Sequence, residues 1–437
     1  VTTVAVDARR RSNTELGLLV LAVLVVLCAY ALLELAQIRT IDSGMATYGG
    51  AMAALALAAH LVSRRLARGA DPLILPLGFL LNGLGLIMVR RLDYALDGTR
   101  APAQTLWAVV AAAAFAVTLL VLRDHTVLDR YRYLIGIAAL AFLLMPLLPL
   151  IGKEVNGARI WLGFAGLSFQ PGEIAKLGLV AFFASYLAEK RALLTVATNR
   201  LGPFHVPPAR AFGPILVVWA ISLAVLIFEK DLGLSLLVFG IFVLMVYIAT
   251  ARPFYALAGV AMFAGGAFAA LKLFGHVESR VNTWLDPWAK YATDGYQVAQ
   301  SLFAMGTGGI WGVGLGQGRP DLIPEVSTDF IFAAFGEELG LLGTTAILLC
   351  YFLLIGRGLH IASRARDDFG QLLAGGLTVI FGLQVFVILA GVTRLLPLTG
   401  LTLPFISYGG SSLVANYALL AVLLRVSAAG ETQTAAQ

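Results

Sequence analysis

Charge is what this chain has least of. Lys, Arg, Asp and Glu make up 13% of its 437 residues and 59% are hydrophobic, whereas a soluble domain carries about 25% charged residues. A solvated globular fold is excluded, and no stretch can build a sizeable soluble domain. Cysteine is nearly absent. Cys28 and Cys350 both fall in apolar runs and offer neither a disulfide framework nor metal-ligand spacing. The five His residues do not cluster. There is no Ser-x-x-Lys and no Lys-Thr-Gly, which excludes a penicillin-type transpeptidase site. P-loop and His-Glu-x-x-His patterns are missing too, and Phe405 stands where a Gly-x-Ser-x-Gly around Ser407 would need its first glycine. The net charge of +6 reflects Arg and Lys in short loops, so no nucleic-acid partner is expected.

Long apolar runs are what the chain does have. Runs near the roughly 20 residues needed to span a bilayer recur over 16–37, 44–63, 72–90, 103–122, 133–150, 173–188, 211–228, 232–250, 253–273, 328–356, 370–393 and 404–424. The expected fold is an all-α polytopic integral membrane protein with about twelve transmembrane helices. No small-residue cleavage site follows the first run, so it is not read as a signal peptide. With Arg9–Arg11 cytoplasmic, a majority of the 31 basic residues fall in inside segments. Arg90 and Arg91 run against that bias. Loops 151–172 and 274–327, and Asp329, are then expected outside. The segment 191–210, with Pro203, Pro207 and Pro208, is an inside loop.

The polar residues within this apolar frame carry the functional signal. Ser327-Thr328-Asp329 opens a hydrophobic helix, with Glu337 and Glu338 about two turns further in. Carboxylates at such depth face a polar cavity or a partner. Asp329 is either a helix N-cap or a general base whose pKa is raised by partial desolvation. Glu337 shares its helix face, and Glu338 reads as a structural partner of a neighbouring helix. Glu173 and Lys176 form an i,i+3 pair behind Pro171-Gly172, either self-neutralising or a cation for a phosphate group supported by the Arg159–Trp161 segment. Glu229-Lys230-Asp231 is a charged hinge between two spans. The segment Gly306–Gly318 either cradles a pyrophosphate with backbone N–H groups or lets helices pack closely. Gln297–Met305 is an amphipathic helix candidate. Leu398–Ser412, which includes Ser407, sets helix breakers beside small polar residues, as in cavity-lining or closely packed helices.

Four motifs then resemble one family. Gln170-Pro171-x-Glu173-Ile174-Ala175-Lys176, Asp231-Leu232-Gly233, Thr328–Ala333 with Glu337–Gly340, and Pro404-x-x-Ser407-Tyr408-Gly409-Gly410-Ser411 occur in the order found in the SEDS (shape, elongation, division and sporulation) proteins, the RodA/FtsW/SpoVE group. The resemblance covers about 72–426 and is nearest to RodA-like members. It implies a ten-helix SEDS domain over 72–426 with one large outer loop, 274–327. It is preceded by a basic N-terminus and two extra helices over 1–71 and followed by a cytoplasmic tail over 427–437. Departures from the family pattern are Gly172 after Pro171, Glu229-Lys230 before Asp231, and Ile160 before Trp161.

The activity this resemblance implies is a peptidoglycan glycosyltransferase of the bacterial cytoplasmic membrane, polymerising lipid II on its outer face for elongation and cell shape. Asp329 matches the essential carboxylate and would be the general base. Lys176, with Arg159, would steady the leaving pyrophosphate, and Trp161 would stack on a sugar. Glu173, Asp231, Glu337 and Ser407 fall on other motif positions lining or shaping the substrate cavity. A divalent cation, Mg or Mn, is compatible with phosphate binding, although no ligand set in the sequence marks it. A class B penicillin-binding protein transpeptidase is the expected partner, alongside membrane lipids. Alternatives are a septal, FtsW-like role, a lipid II flippase, and a structural scaffold for the division or elongation machinery.

Overall fold

In the computed structural model the residues described are 2–41, 44–149, 151–155, 157–164, 167–195, 199–201, 204–206 and 209–434. Pro203, Pro207 and Pro208 therefore lie outside the described residues. The chain runs through α1 (Thr2–Gln37), α2 (Gly44–Leu66), α3 (Ile74–Leu96), α4 (Arg100–Val121), α5 (Thr126–Arg130) and α6 (Arg132–Leu144). A small antiparallel sheet follows, β1 (Gly152–Val155), β2 (Ala158–Phe164) and β3 (Leu167–Phe169), in the order β1-β2-β3 with Lys153 opposite Trp161. Next come α7 (Gly172–Thr195), the hairpin β4 (Asn199–Leu201) and β5 (Phe204–Val206), α8 (Ala209–Phe228), α9 (Leu232–Thr250) and α10 (Pro253–Leu273). The last elements are α11 (Gly275–Leu285), α12 (Tyr296–Gly308), α13 (Ile331–Arg364), α14 (Asp368–Val392) and α15 (Gly410–Thr434).

Among the described residues nine helices are long and apolar enough to cross a membrane: α1, α2, α3, α4, α9, α10, α13, α14 and α15. The other three expected spans correspond to α6, α7 and α8. The 133–150 run gives α6 and a 3-10 turn, apolar over Arg132–Leu147. The 211–228 run gives α8, apolar over Gly213–Phe228. The 173–188 run gives α7, which carries Glu173, Lys176, Glu189, Lys190 and Arg191. Length and composition alone thus account for nine of the twelve.

The large segment 274–327 contains α11, α12 and a 3-10 turn at Pro320–Leu322, and α12 covers the helix candidate Gln297–Met305. Helix α15 continues into segment 427–437 as far as Thr434.

One apolar core joins the bundle. The N-terminal pair is part of it: α1 packs on α2 and α3, and α2 on α4. Around it α15 packs on α4, and α14 on α7, α9 and α13.

The segment behind Asp329 is set by glycines. Helix α13 breaks at Gly340, whose φ of 64° and ψ of −166° suit glycine almost alone. The N–H groups of Leu341 and Leu342, past the break, donate to the carbonyls of Gly309 and Ile310. A Cβ on Gly308 would lie 1.9 Å from the Gly336 carbonyl oxygen, and one on Gly312 would lie 2.3 Å from that of Glu338. The Gly-rich stretch therefore serves close approach. Three of its N–H groups are spent on α13: Val313 donates to the Glu337 carbonyl, Gly314 to that of Glu338, and Gly316 to Glu338 Oε2 at 2.8 Å. Those donors are not available to a pyrophosphate.

Arg90 and Arg91 now have a physical account. Arg91 is buried, its Nε donating to Glu338 Oε1 at 2.7 Å and Nη2 to the Gly318 carbonyl at 2.8 Å. Arg90 donates to the buried Glu34 of α1 at 2.8 Å and lies over the Tyr30 ring at 4.9 Å. Both arginines are held by internal partners, so they do not report orientation.

Candidate active site at Asp329

Four chain segments enclose a cleft of about 340 Å³ at one end of the bundle: α11, the start of α12 with Asp294 before it, the turn around 325–329, and the stretch 391–400 from the end of α14 onward. Its lining includes Asp329, Glu325, Arg280, Arg394, His276 and Trp284. Asp329 is half-buried in the turn before α13. It does not cap that helix, whose N-cap is Phe330 without a side-chain bond.

Sequence explains how the turn is held. Glu325 takes a left-handed φ of 51°, and its carbonyl accepts the N–H groups of Thr328 and Phe330. The Ser407 hydroxyl donates to the Thr328 carbonyl at 2.6 Å and accepts the Leu403 N–H at 2.9 Å. The Tyr408 N–H donates to the Ser327 carbonyl at 2.8 Å. Pro404–Gly409 thus clamps the two residues before Asp329. The opposite wall is stitched reciprocally. Trp284 Nε1 donates to the Arg394 carbonyl at 3.1 Å, and Arg394 Nε donates back to the Trp284 carbonyl at 2.8 Å. Arg280 Nη1 donates to the carbonyls of Leu398 and Thr399 at 3.2 and 3.1 Å.

Gly400, at φ 74°, leaves room at the centre. A Cβ there would stand 3.8 Å from both Arg280 Nη2 and Asp329 Oδ2. The carboxylate and the guanidinium share this space. Burial pushes the Asp329 pKa up to about 7, and neighbouring Glu325 adds to the rise, while Arg280 and Thr328 oppose it. A carboxylate that titrates near neutral pH beside a fixed cation is suited to taking a proton.

A second polar layer adjoins the cleft. Lys176 is buried, its Nζ 2.6 Å from Glu173 Oε2 and 2.7 Å from Gln384 Oε1. Gln384 Nε2 in turn donates to the Thr402 carbonyl at 2.8 Å. Asp231 caps α9, accepting the Leu234 N–H at 2.8 Å. Burial raises its pKa to about 6. The Leu234 N–H opposes the rise, Glu173 adds to it, and Arg280 and Lys176 oppose it. Arg280 therefore acts on both Asp231 and Asp329. Glu229, two residues earlier and buried, is raised to about 8 by burial and by Asp231.

Of the individual site residues expected from the sequence, Asp329 lines the cleft, together with Gln297, Val298, Leu398 and Gly400 from two of the segments singled out there. Glu173, Lys176 and Asp231 form the adjoining layer, and Ser407 holds the Asp329 turn. Glu337 sits under the Gly-rich segment, its Oε1 accepting the Arg319 N–H at 3.0 Å. Arg159 and Trp161 lie on β2 and do not line the cleft. Arg159 is exposed, 3.6 Å from Glu154, and its N–H donates to the Glu229 carbonyl at 3.2 Å. Lys176, read either as half of a self-neutralising pair with Glu173 or as a cation for a phosphate, is enclosed by Glu173 and Gln384. Sequence reasoning missed Arg280, Arg394 and Glu325. Glu325 was within reach, four residues before Asp329. The two arginines are recruited by tertiary packing and have no local signal. Among the described residues no three His, Cys, Asp or Glu side chains converge as metal ligands.

Fold and site together define a polytopic membrane protein with a neutral-pKa carboxylate in a basic cleft at one end of its bundle. The FtsW/RodA/SpoVE sequence profile, described as a cell cycle protein, matches residues 72–432. The peptidoglycan glycosyltransferase RodA of Mycobacterium tuberculosis is 48% identical over 424 residues, covering 95% of this chain and 90% of that protein. The stage V sporulation protein E of Bacillus subtilis is 36% identical over 370 residues, covering 82% of this chain and 96% of that protein.

Two solved structures share the fold. A chain of a peptidoglycan synthase complex that coordinates polymerization and crosslinking superposes with a TM-score of 0.63 at 28% identity, covering 80% of this chain and 96% of that one. The rod shape determining protein RodA of Thermus thermophilus gives 0.57 at 26% identity, covering 82% and 96%. The chain belongs to the FtsW/RodA/SpoVE family and is a multi-pass protein of the bacterial inner membrane.

Proposed function

We propose that this chain is a peptidoglycan glycosyltransferase of the RodA kind, polymerising lipid II on the outer face of the membrane with Asp329 as general base. The observation that carries the reading is Asp329 itself, a carboxylate with a pKa of about 7 facing Arg280 across an open cleft. The named relatives at 48% identity supply the reaction class.

In this reading the 4-hydroxyl of an acceptor sugar enters the cleft beside Asp329. As its oxygen bonds to the anomeric carbon of the lipid-linked donor, its proton passes to the Asp329 carboxylate. The bond from that carbon to the pyrophosphate oxygen breaks, and the electron pair leaves with undecaprenyl pyrophosphate. One in-line displacement inverts the donor's α-linkage to the β-linkage of the glycan. Base assistance of this kind contributes about 10²–10⁴-fold. In this reading Arg280 and Arg394, which line the cleft, meet the negative charge that grows on the leaving group, and fixed cations at such a point stabilise the transition state. Lys176 acts from behind, through Gln384 and Thr402, to fix the 398–402 stretch that Arg280 also grips. A class B penicillin-binding protein is the partner that supplies crosslinking, since this sequence carries no transpeptidase motif.

The test is direct. The purified chain, with its class B partner, is given labelled lipid II. Long glycan strands are expected. Lipid II recovered intact, across a range of divalent cations and lipids, would overturn the reading.

A further inference from the structure

The end of the bundle away from Asp329 holds a cavity that the polymerase reading does not use. It measures about 890 Å³ and is walled by the ends of α2, α4, α13 and α15. Five arginines line it: Arg65, Arg68, Arg123, Arg366 and Arg425. They come from four separate parts of the chain, so the fold, not a local run, brings them together. Two more cavities adjoin it, one sharing Arg65 and Arg68, the other sharing Ala365 and Val426.

The wall is built rather than incidental. Arg425 is buried and donates to the carbonyls of Leu66 and Leu119, tying the last turn of α2 to that of α4. His125, also buried, meets Asp367 at 3.0 Å, and Asp367 accepts the Gly370 N–H at 2.7 Å. Asp124, the other acid at the rim, accepts the Thr126 N–H at 3.0 Å. The exposed side chains of Arg65, Arg68 and Arg123 have no carboxylate partner among the described residues. Three unneutralised guanidinium groups thus face one cavity.

Their depth identifies what they meet. Arg65 lies in the last turn of α2, Arg68 two residues past its end, and Arg123 two residues past the end of α4. Ends of spanning helices sit at the level of lipid headgroups. Guanidinium groups match phosphate oxygens in geometry and charge, and basic pockets between spanning helices hold anionic headgroups.

We propose that this cavity is a binding site for the phosphate headgroup of an anionic phospholipid from the adjacent leaflet. The site is separate from the Asp329 cleft and does not depend on the chemistry assigned there.

The experiment uses the full chain in nanodiscs or detergent, with lipid retention read by native mass spectrometry. The probes are phosphatidylglycerol and phosphatidylcholine. Preferential retention of phosphatidylglycerol is expected. Each guanidinium that meets the bound phosphate inside the cavity contributes on the order of a five-fold gain, so the triple variant R65Q/R68Q/R123Q, which removes three of them, is expected to weaken retention on the order of a hundred-fold. A control triple, R10Q/R130Q/K190Q, removes the same charge from the same end outside the cavity and is expected to retain the lipid. Thermal melting confirms that both variants fold. Equal retention of the two lipids, or equal loss in both triples, would overturn the proposal. Displacement of phosphatidylglycerol by millimolar inorganic phosphate would overturn the lipid assignment in favour of a soluble phosphate ligand.

Discussion

The Ser407 hydroxyl donates to the Thr328 carbonyl at 2.6 Å, one residue before Asp329. A residue nearly 80 positions further along the chain thereby fixes the turn that carries the base. Ser407 touches no reacting atom in this account. It is a positioning residue. Ser407→Ala is expected to lower kcat about tenfold with KM nearly unchanged, and to cost about 1 kcal/mol of stability. Steady-state kinetics and thermal melting check both. A change in KM alone would place Ser407 in substrate binding instead.

The rate is expected to rise with pH and to reach half its maximum near pH 7, where Asp329 loses its proton. Glu325 raises this pKa and Arg280 lowers it. Glu325→Gln should therefore move the profile to lower pH, and Arg280→Gln to higher pH. The stability effect has the corresponding sign. With the folded-state pKa raised from 3.8 to about 7, stabilisation by the protonated form is full below about pH 4 and is lost as pH rises through about 7. Asp329→Asn is expected to raise the melting temperature above pH 7 and leave it nearly unchanged near pH 4.

Arg91 and Glu338 are a buried pair whose charges have no water to fall back on. Removing one partner strands the other, at a cost of about 3–5 kcal/mol. Arg91→Ala is expected to melt far earlier than Glu338→Gln, since the neutral amide can still accept the Gly316 N–H. The double variant R91M/E338L should recover much of the loss. Denaturation of the four proteins in one detergent decides it.

Lys176 offers a test of its assigned role. Lys176→Met alone leaves Glu173 buried without its cation, and loss of folding would obscure any effect on rate. Glu173→Gln together with Lys176→Met removes both charges. This pair is expected to fold, to bind lipid II nearly as well as the parent, and to lose about tenfold or more in kcat because the 398–402 stretch is no longer held. A large rise in KM with kcat intact would show instead that Lys176 contacts the substrate.

Much of this was legible in the sequence. Apolar runs near bilayer length mark the spanning helices, because lipid admits little else. Asp329, Glu173, Lys176 and Asp231 stood out because charge within such runs is costly. Where a span is short or charged, as in α6 and α7, composition loses its hold and only packing marks the helix. Arg280, Arg394 and the Ser407–Thr328 bond were not legible, since each depends on segments far apart in the chain. The Gly-rich stretch had two readings of equal local merit, and only the position of α13 decides between them. Arg90 and Arg91 ran against the charge bias, and the reason was out of sight because their partners, Glu34 and Glu338, lie on other helices.

The central claim is that Asp329 removes the proton in glycan polymerisation. The measurement that meets it most directly compares the parent chain with Asp329→Asn, each with the class B partner, on labelled lipid II at pH 8. The account expects long strands from the parent and at least a hundred-fold fewer from a folded, partner-bound Asp329→Asn protein. Strands made by that variant at a rate close to the parent's would contradict it.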